Sequence, residues 1–149
     1  MSQADLEPEI LHRTAVLALL VARLASQGSV VAVYTDGVPE SPEFPYLVGW
    51  SAAGDPVAGA ERMAGYGGEI STSTQLTAAG LTPDGVIGAV GRARRALHRQ
   101  QPTVPGRVCG DITVSTSGGG PVPDPAPGPG GLTVYSLPIY VELTSSPSS

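Results

Sequence analysis

The stretch that decides the fold spans residues 69–97 and reads EISTSTQLTAAGLTPDGVIGAVGRARRAL. Its first part alternates between apolar or threonine positions and small polar ones, which predicts a half-buried antiparallel strand over residues 69–79. The positions that share the inward face are Ile70, Thr72, Thr74, Leu76 and Ala78.

The second part of this stretch changes to helical spacing. Thr82 is a good N-cap, Pro83 suits the first helical position, and Asp84 favours the positive end of the helix dipole. Gln101-Pro102 is the expected end of the helix. The predicted buried stripe consists of Val86, Val90, Ala93 and Leu97, and the predicted outer face carries Arg92, Arg95 and Arg99.

Working outward, an N-terminal helix is expected over residues 6–26, with Pro8 in its first turn. Its predicted stripe is Ile10, Leu17, Val21 and Leu24, with Leu6 and Leu20 beside it. The apolar run of residues 15–22 is far shorter than the about 20 residues that span a bilayer. Acidic residues precede it where a signal peptide would be basic, so we expect a buried helix face and no membrane partner.

Four further strands are expected at residues 30–34, 46–50, 107–116 and 132–143. Because the strands are grouped, the sequence predicts one α+β domain over residues 1–149. Its sheet should be mixed or mainly antiparallel, with about four to five strands and both helices on one face. Pro138 cannot donate to a ladder, which predicts an edge strand or a bulge there. Residues 52–68 are expected to be irregular, residues 118–131 a flexible Pro/Gly-rich loop, and residues 145–149 a disordered tail.

Composition excludes several kinds of site. The formal charge of −5 argues against binding nucleic acid through its phosphates. The single cysteine, Cys109, leaves no partner for an internal disulfide and is expected to be a small core residue on a strand. The histidines His12 and His98 lie on predicted helices beside arginine, which is typical of solvated residues. We therefore expect no catalytic residues, no cofactor and no metal, and predict that the protein is not an enzyme.

The one local concentration of charge is the arginine cluster of the second helix. The chain has no lysine, and half of its arginines lie in residues 92–99. This cluster is a solvated helix face or a partner surface, where arginine is enriched. Contact with DNA is a third alternative, which the acidic net charge disfavours. We take Arg92, Arg95, Arg99 and Pro138 as the candidate protein interface.

The order of elements, together with the segment VYTDGVPESPEFPYLVGW of residues 33–50, resembles the tail-completion family of long-tailed phages. This family includes the tail terminators and the tail-to-head joining proteins. The most specific part is Asp36-Gly37-Val38-Pro39 followed by the strand that begins at Phe44-Pro45-Tyr46. The segments ARRALH and LTVYSLPIYVEL match the later layout more loosely, while the Ser/Thr-rich third strand and the long Pro/Gly loop depart from it.

The resemblance implies a structural subunit that forms a ring, usually a hexamer, on the head-proximal end of the tail tube. The implied partners are further copies of the chain, the major tail tube protein and a head-completion or stopper protein, with DNA only passing through the lumen. The implied location is the virion tail, after assembly in the host cytoplasm. Two alternatives remain open, namely another neck or minor tail protein and a small host ligand-binding domain.

Overall fold

The computed structural model describes residues 8–50 and 69–148, which form two α-helices and a seven-stranded sheet. Helix α1 spans Pro8–Ser26 and helix α2 spans Pro83–Leu97. Thr82 caps α2 as predicted, since its side chain accepts a hydrogen bond from the backbone N–H of Gly85 at 3.0 Å. The strands are β1 (Ala32–Thr35), β2 (Tyr46–Gly49), β3 (Ile70–Gly80), β4 (Arg107–Cys109), β5 (Thr113–Thr116), β6 (Val122–Pro123) and β7 (Tyr135–Pro147).

The sheet is mixed, with the order β1-β2-β3-β7 followed by β4, β5 and β6. The three short strands pair in turn with successive parts of β7. Strands β1 and β2 are parallel, and the other pairs are antiparallel. The α+β prediction with two helices on a mixed sheet is confirmed, and the predicted strand over residues 107–116 is divided into β4 and β5.

Both helices pack on one face of the sheet, and this layer contains the core. The inward residues of β3 are the predicted ones, and Leu76 and Ala78 are fully buried. Leu47 on β2 and Ile139 and Val141 on β7 share that face by register. Glycine at position 49 permits close approach of α1, because a Cβ there would lie 2.7 Å from a methyl group of Leu17. The opposite face of the long strands carries hydroxyl and amide groups, such as Ser73 and Gln75.

The predicted stripe of α2 is confirmed, since Val86, Val90, Ala93 and Leu97 are all buried. The predicted stripe of α1 is partly wrong. Ile10 and Val21 are 42% and 52% exposed, although Leu20 and Leu24 are buried as expected. The residues that α1 does bury are Leu11, His12, Val16, Leu20 and Leu24. Because this helix is apolar on nearly every side, its composition does not determine which side faces the sheet.

Pro138 lies on β7, which is an interior strand and not the predicted edge. Its register partner on one side is Thr77 of β3. On the other side it faces the break between β5, which ends opposite Ile139, and β6, which begins opposite Ser136. In this part of β7 the backbone N–H and C=O groups of even-numbered residues point towards β4, β5 and β6. The Thr144 carbonyl, for example, accepts a hydrogen bond from the Gly110 N–H at 2.8 Å. The missing N–H of Pro138 therefore faces the break, which explains how a central strand accepts proline.

The C-terminal residues correct the expectation of a disordered tail. Residues 145–147 continue β7, and Ser145 is 1% exposed. Residues 118–131 are also more structured than predicted. They include β6 and a short 3-10 turn at Pro129–Gly131, and the Asp124 N–H donates to the Val134 carbonyl at 2.8 Å. Flexibility of this loop stays a prediction, and the irregular segment predicted at residues 52–68 lies outside the described residues.

Candidate functional site

Arg92 and Arg95, two of the predicted interface residues, both lie on α2. Arg95 is exposed and Arg92 is half-buried. Among residues 8–50 and 69–148, the one ion pair joins Arg13 and Asp36 at 3.3 Å, so neither Arg92 nor Arg95 has a carboxylate partner there. Together with residues 27–30 they line a depression of about 430 Å³ beside the end of α1. The structure thus leaves two positive charges available to a ligand or a partner.

Arg99 does not share the face of Arg92 and Arg95, contrary to the helical spacing. The helix ends at Leu97, His98 is its C-cap, and Arg99 has a positive φ of 63°. Its backbone N–H donates to the Ile112 carbonyl at 2.8 Å, which ties the end of the helix to the chain just before β5. Arg99 is exposed but lies beyond the helix, so the three arginines do not form one row.

Pro138 is half-buried on the face of the sheet that neither described helix covers. Because its strand is interior, the reason for expecting it at an interface, an exposed edge strand, no longer applies. The prediction that it contacts a partner rests only on its position on that face. The structure does not bring Pro138 together with the arginines, which lie on the helix side.

His12 is fully buried, so its predicted solvated position is wrong. Its Nδ1 lies 2.7 Å from Thr72 Oγ1 and its Nε2 lies 2.6 Å from Ser145 Oγ. Arg107 Nε donates to the same serine oxygen at 2.6 Å. The serine proton is then directed to Nε2, and we assign the imidazole proton to Nδ1, which donates to Thr72. Four side chains from α1, β3, β4 and β7 are thus joined in one network.

This network has the wrong properties for a serine nucleophile with a histidine base. Burial, and then the charge of Arg107, lower the pKa of His12 from 6.5 to about 4, which makes it a weak base at neutral pH. Ser145 is 1% exposed and already accepts from Arg107. Thr72, a neutral hydroxyl, takes the position where a catalytic triad has a carboxylate. The arrangement satisfies buried polar groups and connects α1 to the sheet.

His98 and Cys109 have structural positions. His98 is half-buried, and its Nδ1 accepts the Val114 backbone N–H at 3.2 Å, which connects α2 to β5. Cys109 lies buried on β4 as predicted, and burial raises the pKa of its thiol, so it is less reactive than a free cysteine. No group of three or more His, Cys, Asp or Glu residues within the described ranges is arranged to hold a metal ion. Neither described helix is long and apolar enough to cross a membrane.

Residues 33–50, the segment that resembles the tail-completion family, contribute a small aromatic cluster on the sheet face opposite the described helices. The rings of Tyr34 and Tyr46 have centroids 5.6 Å apart, and Phe44 lies 5.3 Å from Tyr46. The Tyr34 hydroxyl accepts the Glu43 backbone N–H at 3.0 Å. Burial, followed by the nearby charges of Asp124 and Tyr34, raises the pKa of Tyr46. The aromatic positions of this segment therefore fix the connection between β1 and β2 (residues 36–45) against the sheet, which is a structural role.

Comparison with known proteins shows that a similar fold occurs in a chain of a virion particle. No protein-family model matches the sequence, and no curated protein matches it. Among solved structures, a chain described as "Virion of native gene transfer agent (GTA) particle" is similar with a TM-score of 0.54 and 14% sequence identity. The match covers 89% of this chain and 93% of the other. The chain therefore shares its fold, over nearly the whole length of both, with a component of a gene transfer agent virion.

Proposed function

We propose that the chain is a structural subunit of a phage-like virion, and specifically a tail terminator. In this role a ring of copies, usually six, caps the tail tube at its head-proximal end and joins it to the head-completion or stopper protein. The observation that carries the proposal is the fold likeness to a chain of the gene transfer agent virion, which extends over 89% of this chain. The residues 33–50 that resemble the tail-completion family agree with it independently.

The chemistry of the described residues supports a structural role. The two histidines are held by hydrogen bonds inside the fold. Arg92 and Arg95, which have no carboxylate partner among the described residues, are suited to binding a partner. A net charge of −5 also suits a subunit that surrounds passing DNA, since an acidic surface does not retain phosphates.

A closed ring requires two different surfaces on each subunit, one that meets the neighbour before it and one that meets the neighbour after it. Two surfaces of the fold are candidates for these contacts. The helix side carries the arginines and two exposed valines, Val21 and Val30. The opposite side carries the hydroxyl-rich face of β3 and β7.

The test is deletion of the gene in the host that produces the particles, followed by electron microscopy of the tails. Loss of a terminator should yield tails of irregular and excessive length that lack heads, because nothing stops tube polymerisation. Complementation with the wild-type gene is the control. Tails of normal length that fail to join heads would instead indicate a stopper or another neck protein. Particles of normal form would contradict a structural role in the virion.

A further inference from the structure

A continuous surface at the junction of α1 and β1 combines apolar and positive groups. The depression lined by Arg92 and Arg95 shares Ser29 with a second one, of about 260 Å³, lined mainly by Val21, Leu24, Val31 and Val33. Val30, on the rim, is 81% exposed, and Val21 is 52% exposed. We call Arg92, Arg95, Ser29, Val30 and Val21 the arginine patch.

The composition of the arginine patch matches a protein interface better than a site for a free anion. Interfaces have an apolar centre with enriched arginine, whereas phosphate-binding surfaces are uniformly polar and basic. Strand β1, which follows Val30, is the outermost strand on that side, and its outer edge has no strand partner among the described residues. The partner should therefore present carboxylates.

The connection of residues 36–45 on the same chain has that chemistry. Glu40 and Glu43 are both exposed, and within the described residues neither takes part in an ion pair. The segment bends at residues 36–37, 40–41 and 44–45, so it presents these glutamates from a turn-rich loop.

The part of this connection around Glu43 lies on the opposite face of the sheet from the arginine patch, whereas Asp36 at its start pairs with Arg13 of α1 at 3.3 Å. The Glu43 N–H donates a hydrogen bond to the hydroxyl of Tyr34. Tyr34 is the register partner of Val48, and Val48 is the register partner of Thr77. These residues share the face of the sheet that points away from the helices. The arginines, in contrast, project from a helix on the other face. The two groups of opposite charge are thus separated by the sheet within one molecule and are available to different neighbours.

We propose that the arginine patch of one copy binds the acidic connection of a second copy, with Arg92 and Arg95 pairing with Glu40 and Glu43. This inference rests on the proposed ring-forming function and names the contact that builds the ring. A contact between two different surfaces continues from copy to copy, which is the heterologous arrangement that closes into rings. It also explains why a chain with a net charge of −5 gathers half of its arginines in one segment, since those charges offset repulsion between copies.

The experiment is sedimentation of the full chain over a concentration series, at low salt and at about 0.5 M salt. Four chains are compared: wild type, Arg92→Glu with Arg95→Glu, Glu40→Arg with Glu43→Arg, and the chain with all four changes. Each double variant should weaken self-association about tenfold or more, and the fourfold exchange should restore most of it. Arg94→Glu is the matched control, because Arg94 is exposed on the same helix but does not line the patch.

Each alternative result is informative. If both double variants assemble as wild type does, the named contact is wrong, although a ring exists and the proposed function stands. If the fourfold exchange fails to restore assembly, the two surfaces do not meet each other. A wild-type chain that stays monomeric at every concentration would also overturn the inference, and the tail-length experiment would then test the function separately. Binding of a DNA duplex that Arg92→Glu with Arg95→Glu abolishes would reassign the patch to phosphate.

Discussion

Protonation of His12 should destabilise the fold as the pH falls below neutrality. The imidazole is fully buried, accepts from Ser145 and has the guanidinium of Arg107 close by, so the folded state resists a second positive charge. Its pKa is about 4 in the fold, against 6.5 for an ordinary histidine. The unfolded chain therefore binds a proton near pH 6.5, whereas the folded chain does not until near pH 4.

The direction and size of the effect follow from this difference. Stability from the neutral His12 is complete above pH 6.5 and is lost progressively as the pH falls towards 4. At about 1.4 kcal/mol for each pKa unit, the loss amounts to about 3 kcal/mol. This is a large part of the total stability of an ordinary domain, about 5–15 kcal/mol.

The assay is urea unfolding at a series of pH values from 8 to 4, with His12→Gln as the matched variant. Glutamine keeps a neutral hydrogen-bonding side chain but does not titrate, so the difference between the two proteins isolates His12 from carboxylates that also titrate near pH 4. The wild type should lose about 3 kcal/mol more than the variant over this range. An equal loss in both proteins would show that His12 does not cause the pH dependence, and so would an NMR titration that placed the pKa of His12 near 6.5.

Three substitutions test the fold itself by urea unfolding. Leu76→Ala empties a fully buried position of β3 and should cost about 2–5 kcal/mol; a cost under about 1 kcal/mol would mean that β3 is not central to the core. Thr82→Ala removes the cap of α2 and should cost about 1 kcal/mol, whereas Thr82→Ser should be close to wild type. Gly88→Ala should stabilise the protein by about 0.5–1 kcal/mol, because a Cβ at this helical position meets nothing within 4 Å; a loss of stability would indicate a different helix face.

The sequence was most informative where two independent signals agreed. The alternation of β3 and the cap and stripe of α2 were predicted correctly, because polar and apolar residues separate cleanly there. In α1 they do not, because the uninterrupted apolar run of residues 15–22, about two turns of helix, leaves the buried side undetermined. The four-residue spacing of His12, Val16, Leu20 and Leu24 was the available signal, but a polar residue leading that row concealed it.

The features of the fold that could not be predicted depend on contacts between residues that are far apart in the sequence. His12 reaches Thr72 and Ser145, which are 60 and 133 residues away in the sequence. The polar end of β7 becomes buried structure only because Arg107 and β3 supply its partners. The sequence places Arg99 on the helix face because Gln101-Pro102 is the first clear stop signal, whereas the helix ends at Leu97. Local pattern carries no information on such long-range contacts.

The most direct test of the proposed function is a cryo-electron microscopy reconstruction of the particles that contain this chain. We expect the fold of residues 8–50 and 69–148 to fit density in a ring at the head-proximal end of the tail tube, with the helix side of each copy against its neighbour. Density for the chain in the capsid shell or at the distal tip of the tail, or particles that lack the chain altogether, would contradict it.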